Sequence, residues 1–549
     1  MEQRRVLLAI VISLVIVVLY QELVVRRLYP TPEQSAPESA TSPVAGRPAE
    51  APASANPAGV DKAAAPAVPA ALAAEARDVV VDTDLYRATF TTLGARLRSL
   101  ELKHYRMTVA ADSPPLQLIR FAAADRLPLG LALLGEGQSQ VTDAGVLYTA
   151  DQTAVDLGAD GSTTVTFSGE LPGGATVRKR VTMHGHDYLW GLELEADGVP
   201  AGYSQMSLSW DEGIDPAGAN ATEVVYDHIL VLQTNKLQSH LFTDFEGPMP
   251  IELKGDIDWL GYSGRYFLSA IVPQVEPTND LRVWMRRHQE QVQAVLIDPP
   301  ASFSTQLQIY AGPKDIDRLE AVGHGLRKAV DLGWFTFIAL PMLQAMRFLH
   351  RFTGNYGVAI IILTVLIKVL FYPLTKKSFE SMRAMQKLQP EMQKLRERLK
   401  DKPDELNREM MELYRRHKVN PLGGCLPMVL QIPVFVGLYN ALLNAVELRH
   451  APFIGWITDL SAPDRLGSLQ LPFVTHPGIP VLTLVMGASM IVQQWMTPAM
   501  GDPAQQRMMM IMPVVFTFMF INFPAGLVLY WLVNNLLTIG QQYAMTRKA

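Results

Sequence analysis

The sequence predicts a polytopic α-helical membrane protein of six spans, with a large all-β sandwich domain outside the membrane and a cytosolic helical hairpin. Three observations predict it. Several stretches are apolar over roughly the length that crosses a hydrocarbon core. Residues 78 to about 314 instead show short alternating or β-branched runs, punctuated by Gly and Pro clusters. Residues 375–420 are dense in Lys and Arg and repeat apolar residues at helical spacing. The 549 residues suffice for several domains. The net charge of −5 says little, because the charge is unevenly spread. Positive mean hydropathy with 24 Met fits a mixed membrane and soluble protein. The single cysteine, Cys425, excludes intramolecular disulfides and cysteine-built metal sites, and in its expected span it reads as a small packing residue.

Residues 1–27 begin with Arg4 and Arg5 and continue apolar from Val6 to Tyr20. A secretory signal peptide starts the same way, but no small-residue cleavage site follows closely, which favours an uncleaved signal anchor. Residues 28–77 are rich in Pro, Ala and Ser and poor in aromatics, the composition of a flexible tether.

Residues 78–325 are expected to form the β-sandwich, because strands such as 79–81, 86–90 and 176–181 follow one another without amphipathic helices between them. His184 and His186 share one strand face, yet no third metal ligand is recognisable nearby, so an exposed strand end is the better reading. Asp211 with Glu212, and Asp256 with Asp258, are candidate carboxylate pairs whose spacing in the fold is not readable.

Residues 326–353 are expected to form an amphipathic helix in the membrane surface. Their apolar run is broken by Pro341, and Gln344, Arg347, His350 and Arg351 fall near one face. A short extra span is the alternative.

Residues 354–549 hold five spans, at 356–374, 422–446, 480–495, 508–523 and 527–543, with a polar turn at 498–507. The basic hairpin, 375–420, separates the first two and turns at Pro403. By the positive-inside rule it is cytosolic. Parity then puts both termini in the cytosol and the β domain outside. Arg547 and Lys548 agree, whereas Arg26 and Arg27 do not, and the denser signal prevails. The hairpin also suits anionic lipid or an RNA-rich partner such as a ribosome.

Lys368 lies inside the first of these five spans. Position alone leaves it either snorkelling to the headgroups or facing protein or water. The same span carries Thr364, and the other spans carry Gln431, Asn440, Asn444, Thr517, Asn522, Asn534, Asn535 and Thr538. Interhelical hydrogen bonds, worth about 0.6 kcal/mol each on average, account for some of these. No Asp or Glu lies in any of these five spans, so water is the cheapest partner for Lys368. The expectation is a polar groove, open to the cytosol, with a fixed positive charge. Such a groove suits a transient host for polar or acidic peptide and lacks the carboxylates of a proton relay. No nucleotide motif appears, which leaves partitioning and membrane potential as energy sources.

The strings Tyr372-Pro373-Leu374-Thr375, Asn420-Pro421-Leu422-Gly423-Gly424-Cys425 and 523–530 (FPAGLVLY) flank the basic hairpin in this order and together resemble the YidC family of membrane protein insertases. The resemblance covers about residues 356–543, and the anchor, tether and β domain resemble the family's Gram-negative form. It implies an inner-membrane protein with a periplasmic β domain, no enzymatic chemistry and no cofactor. Implied partners are nascent membrane proteins, the Sec translocon, ribosomes at the hairpin and C-terminal tail, and anionic lipids. Lys368 takes the place of the family's groove cation, usually Arg; a lysine keeps the charge but loses the planar fork. Thr364 and Gln431 match groove-lining positions, Asn440 joins them as a polar residue of the same span as Gln431, and Tyr530 and Trp531 match the contact surface for client helices. The alternative is a solute or ion transporter with a periplasmic binding domain. It calls for inverted repeats and paired intramembrane charges, and neither is visible. An intramembrane enzyme would need a motif such as HExxH, and no span holds a histidine.

Overall fold

The computed structural model describes residues 70–547, apart from 120–125, 136–139, 214–227, 246–249, 275–280, 289–290, 299–302, 400–401, 418, 420–425, 471–476 and 497–502. The expected anchor and most of the tether, and Cys425, lie outside the described residues. Two compact units result: one holds the described residues 70–107 and 112–329, the other 108–111 and 330–547.

The first unit is built on three sheets. The nine-stranded sheet runs in the order Lys236–Leu241, His228–Gln233, Ile257–Ser263, Phe267–Pro273, Ser304–Pro313, Leu189–Asp197, Thr176–His184, Ser162–Glu170, Thr149–Ala150. A six-stranded sheet is centred on Gln291–Asp298 and Tyr203–Gly213, and a five-stranded sheet on Tyr86–Thr91. Neighbours pair antiparallel except Asp78–Thr83 with Ala154–Leu157. Alternation explains the burial. In Thr176–His184 the residues Val177, Lys179, Val181 and Met183 point inward and their neighbours outward.

Both smaller sheets pack on the nine-stranded one. Tyr86 meets Trp190 at 5.6 Å between ring centres. The Tyr262 hydroxyl donates to the carbonyl of Trp210 at 2.6 Å or that of Val292 at 2.8 Å, and accepts from the Ala294 amide. Lys179 is an inward charge with every donor engaged. Its ammonium reaches the carbonyls of Gly94 and Leu129 at 2.8 and 2.7 Å and Asp143 at 2.6 Å. Asp143 also accepts from Arg96 and from the Leu131 amide, so one buried ion cluster joins all three sheets. Helix α1 (Ile316–Val322) closes the unit, capped by the Asp315 carboxylate.

The second unit is helical. Helix α2 (Thr336–Thr353) buries Ala339, Met342, Leu343 and Met346 and leaves Phe337, Phe348 and Phe352 exposed. It starts ten residues later than expected and ends at Gly354, whose positive φ of 63° lets its amide reach the His350 carbonyl. Helix α3 (Tyr356–Arg398) is capped by Asn355 and runs 43 residues, about 65 Å, without a break at Pro373 or Pro390. This corrects the expected separation between span and hairpin at residue 375: the basic segment continues the same helix. At Pro403, where the hairpin is expected to turn, α4 (Pro403–Arg416) opens, and at its first position a missing N–H costs nothing. Four helices follow: α5 (Leu426–Asn444), α6 (Val481–Met496), α7 (Pro503–Phe520) and α8 (Ala525–Arg547). The turn expected up to Arg507 is therefore helical from Pro503.

Among the described residues α3 alone is long and apolar enough to cross a membrane by length and composition, while α6 and the Met509–Phe520 part of α7 are shorter apolar helices. Exposed apolar side chains line α3 at Leu366, Val369 and Leu370 and α7 at Met510 and Phe518.

Candidate functional site

The site grows from α3. Thr364 and Lys368 stand one turn apart on the same face. Thr364 is buried, and its hydroxyl donates to the Ile360 carbonyl of its own helix at 2.6 Å. Lys368 is half-buried, and its ammonium donates to Oγ1 of Thr538 on α8 at 2.8 Å. Among the described residues it has no acidic partner. Where water was expected as the cheapest partner, a neutral hydroxyl from the last helix holds the ammonium.

That hydroxyl is itself fixed. Thr538 Oγ1 donates to the Asn534 carbonyl at 2.6 Å, and the Asn534 side chain accepts from Gln431 of α5 at 2.9 Å. The i, i+4 spacing of Asn534 and Thr538 puts both on one stripe of α8. Lys368, Thr538, Asn534 and Gln431 form a polar seam across α3, α8 and α5. Asn535, on the neighbouring stripe, turns to Ser489 of α6 at 3.1 Å, and Gln542 donates to the Met496 carbonyl at 2.6 Å. Several of the polar span residues are therefore interhelical hydrogen bonders.

Tyr530 is 1% exposed, so it packs inside the helical unit. Gln431 lies beside its hydroxyl without the geometry of a hydrogen bond. Trp531 is half-buried in a ring cluster, 4.8 Å from Phe435 and 5.1 Å from Phe520 between centres. Asn440 is not part of the seam. Nine residues after Gln431, about 13 Å along the axis, it donates to the Leu332 carbonyl at 3.1 Å. Asn444 donates to Asp331 in the same way, so this pair anchors the chain entering α2.

The loop between α5 and α6 contributes residues that sequence reasoning passed over. Asp464 accepts from the Leu482 amide at 2.7 Å and from the Thr483 hydroxyl at 3.0 Å, capping α6 from outside it. Arg465 donates to the Ile521 carbonyl and to the Asn522 side chain beyond the end of α7. A polar i, i+4 pair in the last span was a readable signal for Thr538 and Asn534; nothing local signals Asp464.

The β unit's candidates serve the fold. Asp211 and Glu212 are consecutive strand residues and point to opposite faces. Gln293 donates to Asp211 at 3.1 Å and the Trp210 indole to Glu212 at 2.9 Å. Burial pushes the Asp211 carboxyl up to about 6. Asp258 accepts the Asn235 amide at a hairpin, and His186 sits 3.0 Å from the Ala159 carbonyl. Among the described residues no group of three or more His, Cys, Asp or Glu could hold a metal.

A helix long and apolar enough to cross a membrane, together with an all-β unit, fits a membrane protein with a large extramembrane domain. Two family models divide the chain at nearly the same place: "60Kd inner membrane protein" matches residues 348–549 and "YidC periplasmic domain" residues 78–345. The "Membrane protein insertase YidC" of Pelobacter propionicus is 40% identical, with 98% of each chain covered. That of Syntrophus aciditrophicus is 40% identical over the whole of both. A crystal structure described as an active YidC insertase with its first transmembrane domain resolved matches at TM-score 0.35 and 16% identity, covering 85% of this chain and 92% of that one. The chain belongs to the YidC family of membrane protein insertases.

Proposed function

We propose that this chain takes nascent membrane proteins into a hydrophilic groove open to the cytosol and releases their apolar segments sideways into the bilayer, alone or beside the Sec translocon. The carrying observation is the seam: within an apolar helix Lys368 is held by the neutral hydroxyl of Thr538, with no acidic partner among the described residues. A polar or acidic client segment entering there exchanges water for fixed donors, which lowers its cost of desolvation. Its apolar segment then partitions into lipid, past outer faces such as Leu366 and Val369 that are themselves apolar. Gln431 and Trp531 wall the groove, Thr364 and Tyr530 are buried in the packing of the same helical unit, and Asn440 holds the chain entering α2. Family membership supports the same reading, with relatives named as insertases.

In this reading the chain has six spans in the inner membrane, both termini and residues 375–420 in the cytosol, and the β unit in the periplasm. The basic part of α3 and α4 meets ribosomes and anionic lipid. The test is substitution at the cation with insertion of single-span clients as readout. Lys368→Ala is expected to lower insertion and Lys368→Arg to retain it. Wild-type activity of Lys368→Ala on several clients defeats the proposal. A photoreactive residue at Gln431 should crosslink to a stalled nascent chain.

A further inference from the structure

We propose that Thr538 is the positioning residue for the groove cation: its hydroxyl holds the Lys368 ammonium at the last helix and so sets where the positive charge meets an acidic client segment. This rests on the insertase reading above. Thr538 gives its proton to the Asn534 carbonyl at 2.6 Å, so the oxygen presents an acceptor to Lys368 at 2.8 Å. That carbonyl is held by the backbone of α8, and the Asn534 side chain accepts from Gln431 at 2.9 Å, which ties the same turn of α8 to α5. The anchor is neutral, so the charge is located without being cancelled, which a carboxylate at the same place would do. An ammonium has three donors. One goes to Thr538, and two remain for a carboxylate or peptide carbonyl of the client. Without the anchor the four-carbon stem is free to carry the ammonium toward the headgroups. The occupant of the site is therefore an extended polar segment bearing acidic residues, the part of a client that must cross.

The experiment uses the full chain in proteoliposomes and two single-span clients whose translocated tails differ only in acidic against neutral polar residues. The readout is the ratio of acidic-tailed to neutral-tailed product. Thr538→Val is expected to lower that ratio about five-fold, the factor that one net hydrogen bond supplies, and Thr538→Ser to restore it. Thr538→Ala takes the same measurement if the valine variant does not accumulate. A wild-type ratio in the valine or alanine variant overturns the proposal, as does a serine variant no better than valine. Lys368→Ala, run alongside, separates two failures. If it lowers the ratio and the Thr538 variants do not, the positioning role alone falls. If neither lowers it, the groove reading falls too.

Discussion

Lys179 and Lys368 both sit out of bulk water to different degrees, and their surroundings give them opposite roles. Lys179 is fully enclosed, with two carbonyls and Asp143 taking its three donors. It has nothing left to offer a ligand and serves the fold. Lys368 has one neutral partner and two donors to spare. Removing Lys179 breaks its buried pair with Asp143, leaving Arg96 to hold that carboxylate, and takes the lysine donor from the Gly94 and Leu129 carbonyls. Lys179→Met should therefore destabilise the β unit by about 3–5 kcal/mol, the cost of breaking a buried pair, seen as a lower denaturant midpoint for the tryptophan fluorescence of this unit. Asp211 gives a prediction of opposite sign. Its carboxyl rises to about 6 when folded, so between its unfolded pKa and 6 the folded state binds more protons. Stability then falls as pH rises through that window, and the loss is complete above 6. Asp211→Asn should flatten this dependence and slow hydrogen exchange in the strand Tyr203–Gly213 at pH 7, by up to about 3 kcal/mol. Unchanged exchange would mean that the ionised form is not penalised.

At the level of elements, period and composition were informative where one face is buried. Alternation at 176–181 located an inward face, and apolar runs located α3, α6 and α8. Boundaries were less legible because they depend on partners far along the chain. Pro373 reads as the end of a span, yet α3 continues: the carbonyl it cannot bond belongs to exposed Val369, and the Thr375 hydroxyl adds a bond to Phe371 at 2.9 Å. The seam was legible in kind but not in pairing. Polar residues in spans were visible, whereas the meeting of Lys368 with Thr538 requires α3 and α8 to pack, and no local pattern encodes that. Asp464 was invisible for the same reason. It caps α6 through space, and Asp464→Ala should cost about 1–2 kcal/mol, measured as a lowered melting temperature in detergent. Close packing is equally remote in origin: a Cβ on Gly487 of α6 would lie 2.1 Å from the Thr517 hydroxyl of α7.

For the whole molecule, the decisive point is that each unit satisfies itself. The β unit closes its own core around Trp190, Trp210 and Trp259 and pairs the buried Arg96 and Lys179 with its own Asp143. The polar seam draws only on α3, α5 and α8. Deleting most of residues 78–325 removes no hydrogen-bond partner of Lys368, Thr538, Asn534 or Gln431. Deleting 375–420 does more harm inside the helical unit. It cuts α3 just beyond Leu374, removes the Arg383 bond to the Met545 carbonyl that ties α3 to the end of α8, and takes away the basic surface. In cells depleted of the wild-type protein, the first deletion should therefore support insertion of a single-span client better than the second. Both variants must be shown to reach the membrane at equal levels, since a lost basic segment also weakens the topology signal. If the chain without its β unit is the weaker of the two, the work of insertion lies outside the membrane, and the seam is a structural tie among helices.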